Sequence, residues 1–95
     1  MPIRRLALDI DKVIDRPDLV TLARSLENVP GVDAVNITVT EIDLETVGTD
    51  VTVEGDGIDT DALFAAVESV GAVVHSVDEV VAGTRIVERV PRLRL

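Results

Sequence analysis

The sequence contains no cysteine, one aromatic residue, one lysine and no long apolar run. Without cysteine the chain has no disulfides, thiolate nucleophiles or zinc–thiolate sites. Because Phe64 is the only aromatic residue, a surface that stacks bases or sugars is not expected. No apolar stretch approaches the roughly 20 residues that cross a bilayer, and Asp9 and Asp11 interrupt the apolar N-terminus. We therefore expect a cytoplasmic protein with no signal peptide and no membrane partner.

Acidic residues dominate the 95-residue chain, whose net charge is −9 and whose isoelectric point is about 4.3. A chain of this charge repels phosphate backbones, so nucleic acid is not an expected partner. The excess of acid, the single Lys12 and the abundance of valine, alanine and threonine are typical of cytoplasmic proteins of halophiles. The length allows one domain with a modest aliphatic core.

Hydrophobic periodicity predicts the element order β-α-β-β-α-β. Alternation in residues 4–11 predicts a half-buried strand, and an apolar stripe after Pro17 predicts a helix that this proline opens. Gly48 is interpreted as the turn of a hairpin. Asp59 is the predicted N-cap of the second helix, which Gly71 ends.

This order predicts an α+β fold, the ferredoxin-like βαββαβ sandwich, with a four-stranded antiparallel sheet and both helices on one face. The other face is then open to solvent or to a partner. We expect residues 1–83 to form this domain and residues 84–95 to form a C-terminal tail that serves as an interface segment.

The second predicted strand changes parity at Thr40. The apolar residues are Val35, Ile37 and Val39 before this position, and Ile42 and Leu44 after it. A regular strand cannot bury both sets on one side. Either a bulge lies near residues 39–41, or the strand runs past the core and presents its other face to something else.

In a regular strand, the same change places Glu41, Asp43 and Glu45 in one row. Neighbouring side chains in such a row lie roughly 6–7 Å apart. Two carboxylates can converge on Ca²⁺ or Mg²⁺ at that spacing, and a third needs help from another strand or subunit. Asp78, on the last strand, completes the candidate metal ligands. The alternatives are a solvated face of an acidic protein and a contact with a neighbouring subunit.

Three stretches, "VNITVTEIDLET", "VTVEGDGID" and "VHSVDEVVAG", resemble archaeal domain-of-unknown-function family number 211. The resemblance runs from Arg4 to Gly83. It implies a ferredoxin-like fold, archaeal origin and a tendency to form oligomers, with calcium binding as a loose association. It implies no established activity.

The single histidine, His75, stands among valines and is interpreted as a packed or interface residue. No triad or nucleophile motif accompanies it, so an enzyme is not predicted.

The tail alternates arginines with aliphatic residues. It is either a frayed terminus or a segment that docks on the acidic body of another copy. The predicted interface residues are Ile42, Leu44, His75, Arg85, Arg89 and Arg92.

The sequence therefore predicts a homo-oligomeric module that holds a divalent cation through strand carboxylates. The alternative is a structural or regulatory oligomer that binds a small ligand between subunits and no metal.

Overall fold

The computed structural model describes residues 1–92. Four strands and two helices follow one another in the predicted order: β1 (Ile3–Val13), α1 (Leu19–Glu27), β2 (Val32–Ile42), β3 (Thr46–Gly55), α2 (Thr60–Ser69) and β4 (Val73–Ala82). Neither helix is long and apolar enough to cross a membrane, and this holds for all the residues described.

The strands form one antiparallel sheet in the order β2-β3-β1-β4. This order, with two helices packed on the sheet, confirms the predicted ferredoxin-like α+β fold. The earliest strand, β1, is bonded on both sides, whereas β2 and β4 are the two edges. Each edge strand has one row of backbone N–H and C=O groups that form no hydrogen bonds to a neighbouring strand of the sheet.

The core lies between the sheet and the helices, and its fully buried apolar side chains are all aliphatic. Alternate residues of β1 and β3 point into it because side chains in a strand alternate between faces. The helices close it from above with pairs of residues four apart, which share one helix face. The fully buried core side chains are Leu8, Ile10, Val51, Val53, Leu22, Leu26, Leu63 and Val67.

Both helices start at an aspartate that caps free backbone N–H groups. Asp18 accepts a bond of 2.7 Å from the backbone of Thr21, which lowers the pKa of its carboxyl. The prediction that Pro17 opens α1 was therefore wrong, since this proline precedes the cap. Asp59 caps α2 as predicted, by accepting from Ala62, and Gly71 follows its end with a φ of 88°.

A bulge in β2 resolves the change of parity at Thr40. Val39 pairs with Thr49 and Glu41 pairs with Gly48, so Thr40 is an extra residue in the ladder. The extra residue returns Ile42 to the helix-covered face, opposite Val47. The first of the two alternatives raised by the sequence is thus confirmed.

The turn between β2 and β3 lies at residues 43–45, so the prediction of a turn at Gly48 was wrong. Asp43 donates its N–H to the carbonyl of Thr46 at 2.8 Å, and its side chain accepts from the N–H of Leu44. Gly48 instead lies inside β3, with Asp11 on one side and Glu41 on the other. Its missing side chain leaves room between these carboxylates.

Candidate assembly surfaces

The three carboxylates predicted to share a strand face are separated by the turn. Glu41 is the last but one residue of β2 and lies on the open face, since it pairs with Gly48. Asp43 and Glu45 lie in the turn itself and are exposed. The predicted row is therefore wrong, because the bulge and the turn end the regular alternation on which it rested.

The turn presents a leucine to solvent instead. We call residues 42–45 the hairpin tip. Leu44 is 92% exposed between the carboxylates of Asp43 and Glu45, and Ile42 beside it is 69% exposed. The hairpin tip therefore exposes two large aliphatic side chains to solvent.

Glu41 lines a shallow depression of about 270 Å³ on the open face of the sheet. His75 from β4 reaches the same depression, and its Nδ1 lies 3.6 Å from Oδ2 of Asp11. The His75 side chain is 66% exposed, so it is not packed, and the pair lies in water. The remaining lining residues are Asp9, Thr40, Thr46 and Gly48.

The fourth predicted ligand, Asp78, lies elsewhere on β4. It accepts a bond of 2.8 Å from the hydroxyl of Ser76 and lines a different groove from Glu41. Across residues 1–92, no three histidine, aspartate or glutamate side chains are grouped closely enough to hold a metal ion. The structure therefore does not bring the predicted ligands Glu41, Asp43, Glu45 and Asp78 together within one subunit.

The tail folds back over the open face of its own sheet. Glu88 accepts two hydrogen bonds, of 2.8 and 2.9 Å, from the guanidinium of Arg5 in β1. Arg5 also donates to Glu54 of β3 at 2.8 Å and lies 3.6 Å from Glu79 of β4. We call these four residues the Arg5 clasp. It connects the tail to three strands through one fork-shaped cation.

Between β4 and the returning tail runs a groove of about 550 Å³, which we call the tail groove. Val80, Val87 and Val90 lie along it, with exposures of 55%, 62% and 72%. Arg89 and Arg92 line it too, whereas Arg85 is exposed outside it. Two of the three predicted interface arginines thus border a groove whose lining also includes the carboxylates of Asp78, Glu79 and Glu88.

Comparison with known proteins gives this chain a family. The model of DUF211, described as "Uncharacterized ArCR", matches residues 4–94. The chain belongs to the DUF211 family. It is 47% identical over 88 residues to the uncharacterised protein MJ0319 of Methanocaldococcus jannaschii, a match that covers 93% of this chain and 90% of that protein. The resemblance inferred from the sequence is thereby confirmed, and it extends into the tail.

Sequence reasoning did not find the Arg5 clasp in this DUF211 chain. Its members are 83 residues apart at the extremes. The available signal was the outward position of Arg5 on β1, where a cation in an acidic protein needs partners. The relative positions of these carboxylates depend on the order of the strands in the sheet. Short-range sequence patterns do not specify that order.

Removing the charge of Glu88 should release the tail of this DUF211 chain. The bonds from Arg5 lower the pKa of Glu88, so the attachment is complete above the ordinary glutamate value and is lost as the pH falls through the lowered one. We expect Glu88→Gln to speed amide hydrogen exchange in residues 84–92 by about two- to fivefold at pH 7, as for one exposed ion pair.

Glu68→Gln, on the exposed side of α2, is the matched control and should leave tail exchange unchanged. At a pH below the lowered pKa of Glu88, wild type and Glu88→Gln should exchange alike. Equal exchange of the two proteins already at pH 7 would contradict the clasp.

Proposed function

We propose that this chain is a self-assembling module that works through contacts between copies, and that it is not an enzyme. The supporting observation is the exposure of aliphatic side chains at the hairpin tip and in the tail groove. Such patches on a small domain are typical of protein interfaces.

The edges of the sheet support the same proposal. Monomeric proteins often protect an edge strand with lysine. The only lysine here, Lys12, is on the central strand and 8% exposed, with its Nζ donating to the carbonyls of Val13 and Ile14. Lys12 protects neither β2 nor β4, so these edges lack that protection, and burial against another copy would supply it.

A catalytic role has little support. His75 and Asp11 are the pair closest to an acid–base arrangement, but two thirds of the histidine side chain is in water. Acid–base catalysis depends on groups held in a site that excludes water. A small ligand bound between subunits remains the alternative that this geometry allows.

The cation proposed from the sequence would need carboxylates from more than one copy, given their separation within the subunit. Exposed Asp43 and Glu45 are available for such a shared site. Metal binding would then depend on assembly, and the two can be measured together.

Light scattering in high salt at micromolar concentration should give a mass several times the 10.2 kDa of the chain. Deletion of residues 84–95 should lower this mass or weaken the association, because it removes one wall of the tail groove. Leu44→Asp should do the same without touching the tail, and circular dichroism of both variants checks that the domain remains folded.

Repeating the measurement with millimolar Ca²⁺ at constant ionic strength tests the shared cation site. A calcium effect on the wild type that Asp43→Asn with Glu45→Gln abolishes would support it. An intact chain that stays monomeric under all these conditions would refute assembly.

A further inference from the structure

The edge strand β2 contains an uncharged stretch with regular geometry. Residues 34–39 pair with β3 in unbroken register, and the register shifts on either side of them. The sequence of this stretch, AVNITV, has no charge, proline or glycine, and Asp33 and Glu41 lie outside it. A stretch of this length is an ordinary strand. Its outer row of N–H and C=O groups has no neighbouring strand among residues 1–92.

The other edge strand, β4, is better protected against pairing. Its ladder with β1 shifts register three times, so no more than three successive residues pair regularly. It also carries His75, Asp78 and Glu79, and the tail runs beside it. Bulges and charged side chains are two of the means by which proteins prevent pairing at an edge. Of the two edges, β2 is therefore the one that is open to another strand.

We propose that β2 pairs with β2 of a second copy, antiparallel and about a two-fold axis. This inference rests on the proposed function and specifies one of its contacts. The pairing extends the four-stranded sheet of each copy into one sheet of eight strands. A row of backbone N–H and C=O groups is satisfied in full by another extended backbone. In a two-fold contact the same surface serves both copies, so each edge covers the other.

The acidic residues beside the stretch select its register. Because opposite residues share a face of the sheet, the axis lies at a residue, and the centre of the stretch offers Asn36 or Ile37. With the axis at Ile37, Asp33 of one copy would lie beside Glu41 of the other. Like charges placed opposite each other destabilise a sheet. With the axis at Asn36, Asp33 instead lies opposite Val39, so we assign the axis to Asn36.

This pairing also covers the groove of about 430 Å³ beside α1. Ile37 lies at the base of the groove, and Val20 on its wall is 61% exposed. Val35 of each copy lies opposite Ile37 of the other, and the two α1 helices come side by side, since each packs on its own β2. The wall also carries Arg24 and Glu27, whose charges offset each other. Two such walls do not repel, although the chain carries a net charge of −9.

A single introduced cysteine tests the register, because the chain contains none of its own. In Asn36→Cys the two thiols would lie opposite each other at the axis, where paired strands bring Cα atoms to about 4.5–5.5 Å. Disulfides join Cα atoms that are about 4.4–6.8 Å apart. We expect copper–phenanthroline and oxygen to convert nearly all of this variant to a covalent dimer at micromolar concentration.

Thr38→Cys is the matched control. Thr38 is exposed on the same strand, and its hydroxyl donates to Asn36 at 2.9 Å. In this register the two copies of position 38 are four residues apart along the strands, which is about 13 Å. That separation is too long for a disulfide, so Thr38→Cys should cross-link at least about tenfold more slowly than Asn36→Cys.

A charge at the axis tests the contact without a covalent bond. Asn36→Lys and Asn36→Glu each place like charges opposite each other, so each should associate at least about tenfold more weakly than wild type in sedimentation equilibrium. Mixing the two variants pairs lysine with glutamate and should restore most of the affinity. Val73→Lys is the control on β4, where the valine is 61% exposed, and should leave the association unchanged.

The outcomes separate this inference from the proposed function. A wild type that is monomeric in light scattering refutes both. An assembled wild type refutes only the pairing of β2 if Asn36→Cys cross-links no faster than Thr38→Cys. The same holds if Val73→Lys weakens the association and Asn36→Lys does not, because the contact would then lie at β4.

Discussion

Gly31→Ala should lower the free energy of unfolding by about 3 kcal/mol, as expected for an overpacked site with a left-handed backbone. Gly31 has a φ of 86°, and its added Cβ would lie 2.8 Å from the backbone nitrogen of Ile58 and closer still to the carbonyl of Gly57. Both obstacles are main-chain atoms, which cannot move aside as a flexible side chain can.

Movement of that backbone would also disturb three hydrogen bonds around the start of β2 and the approach to α2. They join Asp56 to Gly31, Ile58 to Ile3 and Asp59 to Pro30, at 2.9, 3.1 and 3.0 Å. The substitution therefore weakens the connection between the sheet and the second helix, as well as the turn. A loss of this size is a large part of the 5–15 kcal/mol by which domains are usually stable.

Gly57→Ala is the matched control. Gly57 also has a positive φ, of 68°, but an added Cβ would meet nothing within 4 Å. Gly57→Ala should lower the free energy of unfolding by about 1 kcal/mol, which is the effect of the left-handed backbone conformation alone. Urea denaturation of the two variants measures the difference, and equal losses would show that the close approach at Gly31 contributes nothing.

The melting temperature should rise by about 10 °C between 0.01 M and 1 M KCl, since 1 kcal/mol shifts a domain of this size by about 4–8 °C. The chain carries 18 acidic and 9 basic residues. At 0.01 M the Debye length is about 30 Å, comparable to the 39 × 38 × 17 Å extent of the molecule. Carboxylates then repel one another across the whole domain, and salt removes that repulsion.

The triple variant Glu41→Gln, Asp43→Asn, Glu45→Gln should melt higher than wild type at 0.01 M KCl and respond less to added salt. It removes three neighbouring negative charges that have no ion-pair partner among residues 1–92. Calorimetry measures these melting temperatures, and light scattering of the same samples determines the degree of association at each KCl concentration. A melting temperature that does not change with KCl would contradict the halophilic interpretation of the composition.

The element order and the ends of α2 were predictable because local chemistry decides them, whereas the start of α1 was placed wrongly at Pro17. Asp59 and Gly71 act within one helical turn, and the bulge at Thr40 follows from a change of parity that any short window shows. Gly48 was wrongly predicted to form the turn because glycine is a usual turn residue. Here the side chain of Asp43 forms the turn, while Gly48 leaves space between two carboxylates.

The surfaces were less predictable than the fold. Ile42 and Leu44 were predicted to lie at interfaces because the change of parity made them conspicuous, and both are exposed in the subunit. The return of the tail was not foreseen, since the bond between Arg5 and Glu88 joins residues from opposite ends of the chain. The tail groove exists only after that return, so no local pattern describes it.

The central place of β1 also determines when this chain can fold. It is synthesised first, yet its neighbours in the sheet are β3 and β4, and the last of these ends at Ala82. A nascent chain that stops at Gly55 lacks α2, so the side chains of Leu63 and Val67 are not yet present to cover the strands. Contacts so distant in sequence form slowly. The domain therefore folds after nearly all of it has been made, and a chain cut short before Ala82 yields no smaller folded unit.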